Sequence, residues 1–435
     1  MKWRAPCEIF GALFALAKLC GRMKKVKDVR DRPSPLKHGP FVLFWFARVF
    51  SSVAFQVSTV AVGWQVYALS GSAFKLGLVG LTQFLPMVVL TVAAGHLADH
   101  YDRRLIVRTC QALMGFAVGA LALANFTGSL HIAQIYAVVA VLGACRSFEH
   151  PTMAALLPRL IEPSALPEAA TRMASATQTA VIVGPALGGL LYTLSPGVAY
   201  GVAALLFIAA GLLSTLIRAG TVPSVGAPKG FDSLFSGITY IWRRPAVLGA
   251  ISLDLFAVLF GGATALLPVY ARDILHTGAW GLGILRSAPA LGALSMSFVI
   301  ARRPIERKIG HKMFAGVIVF GIATMIFGVS RSLILSLGAL VVLGAADVVS
   351  VVIRMPLVQI ATPDRMRGRV SAVNSLFVGT SNQLGEFESG VTAAIFGTVP
   401  AVMIGGIGSI VIALLWMRLF PELLKADRFE SAPDP

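Results

Sequence analysis

The sequence predicts an all-α polytopic membrane protein, with twelve spanning helices arranged as two pseudo-symmetric six-helix bundles. Three observations predict it. Of the 435 residues, 56% are apolar and only 13% charged, and the mean hydropathy is +0.79. No soluble core can hide that much apolar surface, so lipid must be the solvent. The apolar residues fall in continuous runs rather than alternating with polar ones, which selects helices over a barrel. Features of the first six runs return in the last six at a near-constant spacing.

The runs lie at 40–69, 75–97, 104–126, 130–157, 170–194, 197–217, 246–271, 280–301, 312–330, 333–360, 370–396 and 399–420. At a rise of about 1.5 Å per residue each can cross a hydrocarbon core of about 30 Å. Of the 37 Lys and Arg, thirty fall in the tails and the loops on one side, whereas the opposite loops hold only Lys75, Arg272 and Arg331. That asymmetry places both termini in the cytoplasm. It also explains the net charge of +17 without nucleic acid, because the excess decorates one membrane face. The basic tail 1–39 carries a short apolar face from Ile9 to Ala17, too short to span, which reads as an interfacial helix or as sequence upstream of an alternative start at Met23. The four cysteines show neither metal-ligand nor disulfide spacing.

Pro40, Pro151 and Pro158 return as Pro245, Pro356 and Pro363, each 205 residues later, and Arg172 and Gly188 return as Arg369 and Gly385, 197 residues later. The expected organisation is therefore a cytoplasmic tail (1–39), a six-helix bundle (40–217), a cytoplasmic linker (218–245), a second bundle (246–420) and a tail (421–435). Halves related in this way place a substrate path at their interface, near the membrane midplane.

Between the second and third runs, Gly95-His96-Leu97-Ala98-Asp99-His100-Tyr101-Asp102-Arg103-Arg104 concentrates charge in a short turn. His96 and His100 stand four apart beside two aspartates, which superficially suits a metal. A worn copy, Glu306-Arg307-Lys308-Ile309-Gly310-His311-Lys312, keeps the position but loses that His/Asp set, so a latch is the better reading. No metal is expected.

This stretch resembles the loop between helices 2 and 3 of the major facilitator superfamily. A second signature, Gly184-Pro185-Ala186-Leu187-Gly188-Gly189, resembles the GPxxGG core of that superfamily's antiporter motif, although the small residue four before it is Ala180 rather than Gly. A third, from Gly368-Arg-Val-Ser-Ala-Val-Asn-Ser to Asn382-Gln-Leu-Gly-Glu-Phe-Glu-Ser-Gly390, resembles the subgroup containing the enterobactin exporter and the macrolide efflux proteins. The resemblance implies the major facilitator fold over 40–420, with helices 1, 4, 7 and 10 lining a central cavity. It implies a bacterial inner-membrane transporter exporting a drug- or siderophore-like molecule. It also implies a latch of Gly95, Asp99, Arg103, Arg104, Glu306 and Arg307, in which Gly95 lets helix 2 approach helix 11 and Asp99 holds the outward-facing state closed inside.

Ionisable residues inside spanning helices are costly and mark function by default. They are Arg48, Arg146, Glu149, His150, Asp254, Arg286, Asp347, Arg354, Glu386 and Glu388. Adding 205 to Glu149 gives Arg354, and adding it to Arg48 gives Leu253, beside Asp254. Glu149–Arg354 and Arg48–Asp254 can thus pair across the halves and gate the cavity; a local pair, Arg146–Glu149 at i, i+3, is the competing reading. For a proton-carrying carboxylate, Asp254 and Glu386 rank first and Asp347 third, while Glu388 points to a different face from Glu386.

The expected function is a secondary transporter, a monomer working in the lipid bilayer, moving an amphiphilic small molecule by alternating access. The proton gradient drives it, with no cofactor. A lysophospholipid flippase and a facilitator or importer of the same superfamily are the alternatives. An intramembrane enzyme lacks a nucleophile–base pair, and a receptor or scaffold would carry a larger extramembrane domain.

Overall fold

The computed structural model describes residues 38–217 and 231–429, with side chains omitted for 91–100 and 231–235. The expected interfacial helix of the N-terminal tail lies outside the described residues.

Twelve long helices follow one another: α1 Gly39–Ser70, α2 Ala73–His100, α3 Arg103–Phe126, α4 Ile132–Leu160, α5 Leu166–Leu194, α6 Pro196–Leu216, α7 Pro245–Phe260, α8 Gly278–Arg302, α9 Ile309–Val329, α10 Leu333–Ile360, α11 Asp364–Phe396 and α12 Thr398–Leu419. Local chemistry sets their ends. Gly71 closes α1 in the left-handed conformation (φ 60°) and returns its N–H to the carbonyl of Tyr67. Proline occupies the first turn of α6 and α7, where its missing N–H costs nothing. His131 and Gln134 form a reciprocal box at the start of α4.

Eleven spans are long and apolar enough to cross a membrane by length and composition alone, the seventh of them counted from Pro245 through Ile274. The twelfth, α11, is 33 residues long but too polar along its first turns and centre to meet that measure. It packs on α2, α7 and α12. Elsewhere large apolar side chains face outward, as with Leu205 at 68% exposure and Ile334 at 83%. For a soluble chain this would be an aggregation hazard; here it is the lipid face.

Two expectations need correction. The turn between the second and third runs is not ten residues long: α2 runs on to His100, and only Tyr101 and Asp102 separate it from α3. Asp102 makes this possible by capping α3, accepting from the Arg104 backbone N–H at 2.9 Å and from its guanidinium. Those hydrogen bonds hold the Asp102 carboxyl below the usual carboxylate range, so it stays an acceptor. The seventh run is not one continuous helix. After Gly261-Gly262 it passes through a 3-10 turn, Ala263–Leu266, and a π turn, Tyr270–Ile274. A Cβ on Gly262 would lie 2.7 Å from the Gly385 carbonyl oxygen, so close packing on α11 fixes the break there. The linker also contains a helix, Phe231–Arg243, whose Tyr240 hydroxyl donates to the Ala361 carbonyl at 2.8 Å.

One buried cluster joins α1, α3, α4 and α6, and another joins α7, α9, α10 and α12. A third crosses between the halves, bringing Val60, Tyr67 and Leu76 against Leu267, Tyr270 and Leu282. Those residues gather at the membrane end away from the termini.

Candidate functional site

Each half holds a buried charge constellation toward the end that carries the termini. Arg48 and Asp254 both stand nine residues into their helices, roughly 14 Å from the terminus-side ends.

In the first half Glu149 is fully buried on α4. One carboxylate oxygen accepts from the Ser51 hydroxyl at 2.6 Å and from Gln111 Nε2 at 3.0 Å; the other accepts from Arg146 at 3.1 Å. Gln111 is held in turn by Ser214, whose hydroxyl donates at 2.7 Å. Arg146 also lies over the Phe55 ring, 4.2 Å from its centroid. The local i, i+3 pair is therefore the one formed. Arg48 stays outside it, its guanidinium 3.7 Å from the Met153 sulfur.

In the second half the signs are reversed. Arg354 on α10 pairs with Asp254 on α7 at 2.8 Å, and both are buried. Asp347, two turns earlier on α10, lines the same small cavity with Ser350, Val317 and Phe320. No hydrogen bond or ion pair engages its carboxylate among the described residues. Arg354 Nε and the Ser350 hydroxyl there are buried without hydrogen-bond partners. Arg286 and Glu386 approach at 3.9 Å between α8 and α11. Glu388 instead accepts from Thr392 at 2.7 Å, on another face, as expected. Of the three carboxylates ranked from sequence, the first two are thus engaged by arginines, and the third is the unpaired one.

Neither cross-half pair is formed, because contact between the halves is made at the opposite end. There the Tyr67 hydroxyl donates to the Asp273 carboxylate, and Arg272 donates to the Tyr67 and Ala68 carbonyls at 3.1 and 3.3 Å. Tyr67 and Arg272 stand 205 apart, the spacing of the repeat, so matched positions meet across the pseudo-symmetry axis. Sequence reasoning missed this trio. An adjacent acid–base pair closing an apolar run, in register with a tyrosine, was the available signal.

The glycine motif serves the same closure. A Cβ on Gly188 would lie 2.9 Å from the Val57 Cα of α1, while one on Gly189 would lie 2.5 Å from the Ala279 carbonyl oxygen of α8. Pro185 offers its carbonyl 2.6 Å from a Cβ built on Gly283, and the Ser287 hydroxyl donates to Ile182 at 2.6 Å. Helix 2 does meet helix 11, with Gly77 against Gly390. That contact is at the far end, whereas Gly95 was expected to make it near the latch.

The Asp99 side chain and the surroundings of Gly95 fall in the stretch 91–100 for which side chains are omitted. Arg103 donates to the Ala155 carbonyl at 3.0 Å and Arg104 to the Ile217 carbonyl at 3.2 Å, both within the first half. Glu306 and Arg307 are exposed and form no ion pair among the described residues. Their loop is tied to the C-terminal segment, with the Lys308 N–H donating to Asp427 at 3.0 Å.

Two six-helix bundles meeting around a charged interior, sealed at one end, have the architecture of a multi-pass membrane transporter. The fold is similar to two solved structures. A bacterial homologue of the lysosomal transporter Spinster, inward-facing and occupied, superposes with a TM-score of 0.73 at 12% identity, covering 92% of this chain and all of that one. The nucleoside transporter NupG (D323A mutant) gives 0.72 at 13%, covering 88% and all of its length. The transmembrane secretion effector family profile matches residues 32–434, and the chain belongs to that family. It is similar to the enterobactin exporter EntS of Citrobacter koseri, 24% identical over 404 residues, with 91% of this chain and 95% of the relative covered. The corresponding exporter of Shigella boydii is 25% identical over 403 residues, covering 91% and 94%.

Proposed function

We propose that this transporter exports an amphiphilic, siderophore-like small molecule from the cytoplasm across a bacterial inner membrane, in exchange for protons. The carrying observation is the sign inversion between halves: two cations around one acid on one side, two acids around one cation on the other. The Lys/Arg asymmetry supports an orientation with both termini cytoplasmic, which makes the conformation described above inward-facing. Tyr67 and Arg272 meeting at the sealed end supply the precedent for the other end. When the cytoplasmic side closes, the matched Glu149 and Arg354 come together, and Arg48 approaches Asp254. The latch residues Gly95, Asp99, Arg103, Arg104, Glu306 and Arg307 time that closure. Arg286 and Glu386 line the path deeper in the membrane.

Asp347 is the carboxylate that carries the proton. Asp254 already occupies Arg354, so Asp347 is the surplus acid of that cavity and the one left free to exchange a proton. The names of the relatives favour a siderophore over the lysophospholipid reading. The test is purified protein in liposomes, with enterobactin as the candidate cargo. Transport is expected to accelerate when a pH gradient is imposed, and Asp347→Asn should lose that acceleration by about 100-fold while retaining gradient-free exchange. Transport that ignores the gradient in the wild type would sink proton coupling.

A further inference from the structure

Among the described residues, Arg48 is the cation of the first-half constellation that forms no ion pair. Glu149 spends both carboxylate oxygens on Ser51, Gln111 and Arg146. Among the described residues Arg48 forms no ion pair, and its one polar contact is the weak Met153 thioether. A guanidinium left bare in the membrane interior costs several kcal/mol, so the arrangement calls for an anion from elsewhere.

The guanidinium stands at a cavity of about 220 Å³ between α1, α4 and α5, lined among others by Phe44, His150, Met153, Met173 and Thr177. That volume falls below the roughly 300–1,000 Å³ of sites that swallow a whole drug-sized ligand, so the cavity takes part of one. Its walls are apolar, aromatic and thioether groups, with the His150 imidazole and the Thr177 hydroxyl as further polar atoms. A planar guanidinium engages a two-oxygen anion bidentately. Among the described membrane-embedded residues of the second half, Arg286 and Arg354 each have an acid partner, and Asp347 is the surplus group.

We infer that this cavity is an anion subsite, in which Arg48 binds the carboxylate head of the transported amphiphile. The inference rests on the interior being the substrate path, and it names the chemistry of the substrate: an apolar body with an oxygen anion at one end. The second half, with its excess acid, handles the proton instead.

The test is fluorescence titration of the purified full-length protein in a non-ionic detergent with two probes, N-dansyl-11-aminoundecanoic acid and its primary amide. The wild type should bind the acid at least about tenfold more tightly than the amide, the scale of one charge-assisted pair. Arg48→Gln should abolish that preference, with a monodisperse size-exclusion profile in the same detergent certifying that the variant is folded. Arg48→Lys should keep part of it. Equal affinities in the wild type, failure of both probes to bind, or a preference that persists in R48Q each overturn the subsite. Binding needs no gradient, so an Arg48-dependent preference in a protein whose transport ignores pH would refute proton coupling and leave the subsite standing.

Discussion

The two charge constellations occupy matching positions in the two halves, yet they are built to different standards. In the first, Glu149 accepts from three side chains and its partner Arg146 is clamped over Phe55. In the second, Arg354 meets Asp254 alone, keeps an unsatisfied Nε, and has a second carboxylate nearby with no donor. A fully satisfied buried network is rigid, whereas a partly satisfied one can rearrange at little cost. The first half is therefore a fixed anchor that leaves Arg48 for ligand, and the second is the adjustable part.

The largest effect that would break this comparison comes from Glu149→Gln. Removing the acid leaves Arg146 without its buried partner and should cost about 3–5 kcal/mol, read as unfolding in detergent. A variant as stable as the wild type would show that the anchor is not rigid. Arg354→Met should cost nearly as much alone, but Asp254→Leu/Arg354→Met together should return to within about 1 kcal/mol of the wild type, because a simple buried pair can be replaced by apolar groups. Non-recovery in the double variant would mean that the second constellation is as interlocked as the first.

Two smaller substitutions address the sealed end. Gly189→Val places a branched side chain where even a Cβ stands 2.5 Å from the Ala279 carbonyl oxygen. It should disfavour this closure by about 1–3 kcal/mol, seen as a longer distance between spin labels at Ser72 and His276 in the adjacent loops. Tyr67→Phe removes one hydroxyl bond to Asp273 and should shift the same distance distribution toward opening by about fivefold, the worth of about 1 kcal/mol. An unchanged distribution in both would mean that apolar packing alone seals this end.

Much of the molecule was legible in the chain. Eleven of the twelve apolar runs coincide with one continuous long helix, and the seventh with a helix that breaks after Phe260. The membrane-embedded charges were visible because each interrupts an apolar run. The short charged hairpin and the break in α7 were misjudged for a common reason. Asp102 extends helical order by capping, and Gly261-Gly262 ends it through a contact with α11 that no local pattern displays.

What the sequence determined by itself is the membrane class, the helix count, the repeat and the set of charges inside it, since hydropathy and spacing accumulate along the chain over some twenty residues. What only the tertiary structure decided is which charges meet. Arg146 rather than Arg48 takes Glu149, Arg354 takes Asp254, and Asp347 is left over. Ion pairing demands approach within about 4 Å, and that depends on helix rotation and on how closely small residues let neighbouring helices come. The halves are drawn together where Gly77, Gly189, Gly283 and Gly390 permit it, at the end away from the termini, and the cross-half partners at the other end are held apart.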